Sequence, residues 1–95
     1  MNSDESVFLR AMLLLDRGQP KSAEPLLRAL VESTEGSDRE LLMRCLVALG
    51  ECLAVTGRPD EARRLLLRAL AFEATDQIVE FERERAQELL EELDE

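Results

Sequence analysis

Cys45 and Cys52 are the chain's two thiols, seven residues apart. On a helix that spacing leaves them on one face about 10 Å apart along the axis, too far for a bond between them. The chain has no His, Trp or Tyr, so the commonest general base, the commonest metal ligand and most stacking platforms are missing. Two thiols with no imidazole do not make a zinc site, and they read as small buried hydrophobes of a reduced compartment. Carboxylates are plentiful, 21 against 12 Lys and Arg. They interleave with arginine at helical spacing, as Glu24 does with Arg28 and Asp60 with Arg64, the pattern of solvated helix pairs worth a few tenths of a kcal/mol each. No glycine loop cradles phosphate, no Asp-rich loop binds calcium and no serine stands beside a base. The expectation is a protein without catalytic residues, metal or cofactor.

The elements that carry these residues belong to one domain of 95 residues. A net charge of −9 argues against nucleic acid, whose phosphates would be repelled. No apolar run approaches the roughly 18 residues of a membrane span. The polar, acidic amino terminus resembles neither a signal nor a transit peptide, which with the two thiols leads to an expected cytoplasmic location.

Leu, Ala, Glu and Arg dominate, so the fold class is all-α, and Gly and Pro punctuate about five helices. The first runs from about Asp4 to Arg17 with Ser3 as its cap, and Gly18 ends it. Pro20 and Ser22 open the second, which continues to about Glu32. Pro25 calls for a late start capped by Ser22, or for a kink. Ser33 to Ser37 reads as a loop, and Ser37 with Glu40 forms a capping box for a long third helix reaching about Thr56. Its buried side carries Leu42, Cys45, Leu46, Leu49, Cys52 and Leu53. Gly57 breaks it, and Pro59 starts a fourth helix holding Ala62, Leu65, Leu66, Ala69 and Leu70. A break at Ala74–Asp76, with Thr75 as cap, precedes a fifth helix that turns Ala86, Leu89, Leu90 and Leu93 inward.

The second and fourth helices start alike. Residues 18–27 align with 57–66 at an offset of 39, sharing Gly, Pro, Ala and paired Leu, the mark of a repeated αα-hairpin. Leu46, Leu49, Gly50, Leu53, Gly57, Ala62, Leu66 and Ala69 then follow the pattern of the tetratricopeptide repeat family, which the chain resembles. Val7, Ala11, Leu14, Gly18, Ala23 and Leu27 fit more loosely, with Arg10 where a Leu is usual. Gly50 and Ala62 are small where two helices should cross closely. The resemblance implies a short αα-hairpin solenoid: repeat 1 over about 4–32, repeat 2 over about 38–73 and a capping helix over about 76–93.

It also implies a concave groove lined by the first helix of each pair. Carried over position by position, the groove residues are Glu5, Phe8, Met12, Leu15 and Asp16 from repeat 1, and Arg44, Val47, Glu51, Ala54 and Val55 from repeat 2. Some family members grip peptide carboxylates there with basic and amide side chains. Val47 and Glu51 stand at such positions here and do not suit that grip. What remains is an apolar strip of Phe8, Met12, Leu15, Val47 and Val55, suited to an amphipathic helix or extended segment of another protein. The fifth helix, or a second copy of the chain in a homodimer, could cover it instead. Residues 75–95 hold −7 of the net charge, and Glu84, Glu88, Glu91, Glu92 and Glu95 offer an acidic docking face. Three functions stay open: an adaptor, a chaperone or obligate subunit shielding an aggregation-prone partner, and an acidic regulator docking a basic protein through residues 76–95.

Overall fold

A computed structural model describes residues 3–72 and 77–94, and the side chains of 3–72 and 80–94. Five helices account for it: α1 (Ser3–Asp16), α2 (Pro20–Thr34), α3 (Arg39–Val55), α4 (Pro59–Leu70) and α5 (Gln77–Leu93). Each packs on the next. In addition α3 touches both α1 and α5, so α1, α3 and α5 form one layer of a short solenoid and α2 and α4 the other.

The two hairpin turns are copies of one device. Gly18 and Gly57 take φ of +72° and +82°, which L side chains rarely adopt. The amides that follow, Gln19 and Arg58, then donate to the carbonyls of Leu14 and Leu53, both at 2.8 Å. This is the Schellman closure, which satisfies carbonyls that a helix end would otherwise leave free. Two residues beyond each glycine, Pro20 and Pro59 occupy the first turn of the next helix, where a missing amide costs nothing.

Three local expectations need correction. The second helix starts at Pro20 rather than at a Ser22 cap, and Pro25 lies inside it. The lost bond belongs to the carbonyl of Lys21, an exposed residue that water can serve. The cap of α3 is Asp38, whose Oδ1 accepts from the Leu41 amide at 3.1 Å, and not Ser37. The Ser37 hydroxyl is engaged in closing the helix before it, donating to the Ser33 carbonyl at 3.1 Å. The predicted loop at Ser33 is also helix, because α2 continues to Thr34, whose buried hydroxyl donates back to Leu30 at 2.7 Å. The expected break at Ala74–Asp76 and the Thr75 cap lie outside the described residues.

The core falls into two clusters that meet on α3. Ala11, Ala23, Leu27 and Leu30 pack with Cys45, Leu49, Cys52 and Leu53 on one side. On the other, Leu66, Ala69, Ala86 and Leu89 pack with Leu42, Met43, Leu46 and Val47. Eleven of the 17 residues of α3 are buried, so it is the central post of the fold. The close approach comes at Gly50, where an added Cβ would stand 2.7 Å from the Leu66 side chain of α4. Arg83 fixes α5 from the other end. Its guanidinium donates to the carbonyls of Leu70 and Phe72 at 2.6 and 2.8 Å, satisfying groups at the end of α4. As expected, Ala86 and Leu89 are buried and Leu90 and Leu93 half-buried.

Candidate functional site

The layer of α1, α3 and α5 presents the concave face. Phe8 and Met12 from α1, Arg44, Val47, Ala48 and Glu51 from α3, and Phe81, Glu82 and Arg85 from α5 line one depression of about 200 Å³. A second depression, of about 360 Å³, is lined by Leu15, Asp16, Gly18, Pro20, Glu51 and Val55. Glu51 borders both. A third and smaller one holds Glu5, Arg44 and residues at the start of α3.

Eight of the ten predicted groove residues are therefore brought together in two adjoining depressions, while Glu5 lies in the third. They differ in exposure. Val47 is only 3% exposed and forms the floor, Val55 is 64% exposed at the open end, and Phe8, Met12 and Leu15 are half-buried between. Ala54, half-buried, packs against the inner cluster and lines neither depression.

The fifth helix does not roof this face; it forms its second wall. Sequence reasoning misses Phe81, Glu82 and Arg85. A signal for two of them existed. Phe81 stands thirty-four positions after Val47 and Arg85 thirty-four after Glu51, so α5 repeats the α3 register and occupies the place of a further first helix. Exposed at 68%, Phe81 is the most open of the large apolar side chains on the described surface.

Charge on this face is unevenly matched. Arg85 pairs with Glu51 across the helices and with Glu88 on its own helix at 3.2 Å. Its guanidinium is held above its ordinary pKa, first by the hydrogen bond to Glu51. Arg44 leans toward Glu40 at 3.7 Å. Among the described residues, no arginine reaches Glu82 within ion-pair distance. Burial raises the Glu82 carboxyl above its usual pKa although Arg44 and Arg85 pull the other way, and Glu51 adds to the rise.

Of the proposed acidic face, Glu84, Glu88, Glu91 and Glu92 are exposed on α5, Glu88 being paired with Arg85. Glu95 lies outside the described residues. Asp94 pairs with Arg63 of α4 at 2.8 Å and ties the end of α5 down.

Both thiols are buried and unpaired. Burial pushes Cys45 up to about 12 and Cys52 to about 11, which keeps them protonated and unreactive. Among the described residues no group of His, Cys, Asp and Glu is placed to hold a metal ion. No described helix is long and apolar enough to cross a membrane.

No curated protein and no solved structure matches the chain. A family model described as tetratricopeptide repeat matches residues 5–72, from the first turn of α1 to just past the end of α4. That span holds both glycine–proline turns, the Gly50–Leu66 crossing and the groove residues of α1 and α3. The chain belongs to the tetratricopeptide repeat family, whose repeats generally mediate protein–protein interaction and are typically non-catalytic.

Proposed function

We propose that this chain is a non-catalytic adaptor that holds an apolar or amphipathic segment of another protein between α1, α3 and α5. The observation that supports this most is the convergence of Phe8, Met12, Val47 and Phe81, from three helices, on one open depression beside the Leu15–Val55 depression. The exposed ring of Phe81 and the half-buried Phe8 and Met12 supply apolar contact area on a packed helical layer. A chaperone role is the same groove occupied by an aggregation-prone partner, and it differs in that the partner would precipitate without this chain.

The test is capture of partners from cell lysate, followed by a direct affinity measurement on the purified partner. Phe8→Glu with Met12→Glu should weaken binding at least 100-fold while the circular dichroism spectrum keeps its helical form. Unchanged affinity would move the contact elsewhere.

A second reading, favoured by the exposure of Glu84, Glu91 and Glu92, puts a basic partner on the outer face of α5. Deleting α5 cannot test it, because Ala86 and Leu89 would leave the core. Replacing the three carboxylates with Gln should abolish the salt dependence of binding if this reading holds.

A further inference from the structure

The groove has a chemical preference that its apolar lining does not by itself reveal. Two of the chain's three phenylalanines, Phe8 and Phe81, border the same 200 Å³ depression. Glu82 lines that depression with Arg44 and Arg85 and forms an ion pair with neither, Arg85 being engaged by Glu51 and Glu88 and Arg44 leaning toward Glu40. Each local guanidinium is thus already opposed by at least one carboxylate, and Glu82 feels both arginines without an ion pair of its own. A half-buried carboxylate that shares a depression with two phenylalanine rings is a good place for a cation. The ion pair gains strength as the dielectric falls, and the ring faces add their own attraction. An incoming anion would meet Glu82 and would have to draw Arg85 away from Glu51.

We propose that the depression between α1, α3 and α5 receives a cationic side chain, a lysine or arginine set in an otherwise apolar partner segment. Its stem lies against Met12 and Val47, and its charge meets Glu82 between Phe8 and Phe81. The volume is several times the roughly 30 Å³ share of one water, enough for one extended side chain. The proposal rests on the groove reading above and adds to it the charge of the occupant.

Three small probes of equal length decide the charge: n-butylguanidinium, the neutral N-butylurea and the anionic pentanoate. Each is titrated into the intact chain while the methyl resonances of Met12 and Val47 are followed by NMR. The expected result is saturable shifts with n-butylguanidinium, binding at least fivefold tighter than N-butylurea, and no saturable response to pentanoate. Glu82→Gln should abolish the difference between the first two, and Phe81→Ala should weaken the cation at least twofold. Should Glu82→Gln fail to fold, the ranking of the three probes on the wild type still decides.

Equal binding of N-butylurea and n-butylguanidinium would overturn the cation preference while leaving the apolar groove standing. Preference for pentanoate would overturn it in favour of Arg44 and Arg85. Silence of the groove methyls to all three would overturn it as well, and the affinity of the Phe8/Met12 variant for the partner protein would then judge the groove by itself.

Discussion

Between α2 and α4, guanidinium and carboxylate groups pair across the helices; between α1, α3 and α5 the half-buried Glu82 has no such pair among the described residues. On the first side Arg28 bonds to Glu24 at 2.9 Å and takes both oxygens of Glu61 at 2.8 and 3.1 Å. Arg58 reaches back from the turn before α4 to the same Glu24, and Arg68 pairs with Glu35. The Glu24 and Glu61 carboxyls are held below their ordinary pKa, first by Arg58 and first by Arg28 respectively. On the second side Glu82 is shifted the other way by burial, and Phe81 stands in solvent. The same residue types, on helices of one solenoid, thus close one face and leave the other unfinished. A face whose polar groups answer one another holds the repeats in register. A face with an unanswered carboxylate and open rings has interactions still to make.

The strongest way to break this contrast acts on α3, which both faces share. Gly50→Ala drives a methyl into the fully buried side chain of Leu66, which must shift within the packed core. Overpacking of about 1–3 kcal/mol is partly offset by the roughly 1 kcal/mol better helix propensity of Ala, leaving a net loss of up to about 2 kcal/mol in urea unfolding. Both faces should suffer together, with weaker partner binding accompanying the lower midpoint.

A more selective blow is Glu24→Gln, which removes the carboxylate that two arginines share. Stability should fall by about 1 kcal/mol, since a connected set of pairs is worth more than an isolated one. Partner affinity should stay within twofold of the wild type. A loss of binding comparable to that of the Phe8/Met12 variant would show that the two faces are not independent.

The smallest effect is the most diagnostic, because it has opposite signs on the two faces. Glu24 and Glu61 have folded pKa values below the unfolded one. Their contribution is complete above about pH 4.5, the ordinary carboxyl value, and is lost as pH falls through the lower folded values. Glu82 has a folded pKa above the unfolded one, so its ionisation weakens the fold at neutral pH and protonation on acidification relieves that cost. Glu82→Gln should therefore stabilise the protein by a few tenths of a kcal/mol at pH 7, and by less as pH falls through the raised folded pKa of Glu82. Glu24→Gln should destabilise it at pH 7 and by progressively less below pH 4.5. Chemical unfolding at a series of pH values checks both.

Much of the architecture was legible because it is written in local chemistry. Glycine two residues before proline, twice, specifies the hairpin turns, and the small Gly50 marks the crossing. Where the sequence reading slipped, two competent groups stood side by side. Ser37 and Asp38 can each cap α3, and only the closure of α2 by Ser37 assigns the role to Asp38. Asp60 was matched with Arg64, yet in the fold it is Arg63, 3.8 Å away, that faces it. The groove on α1 and α3 followed from family positions. Its α5 wall did not, since the fifth helix lacks the small residues that mark a repeat and its charges suggest only a solvated outer face. Placement of Phe81, Glu82 and Arg85 depends on how α5 docks, through Arg83 on the last carbonyls of α4 and Ala86 and Leu89 in the core, and the only sequence trace of it is the thirty-four-residue spacing of Phe81 and Arg85 from Val47 and Glu51.

The two buried cysteines give the molecule a clock. With thiols pushed to about 12 and 11, alkylating reagents find almost no thiolate while α3 stays enclosed by its neighbours. Each modification therefore records a visit to a state in which that post is bared. The labelling rate converts directly into how often the solenoid comes apart, and a ligand that clasps α1, α3 and α5 together should slow it, without any need to know what the ligand does.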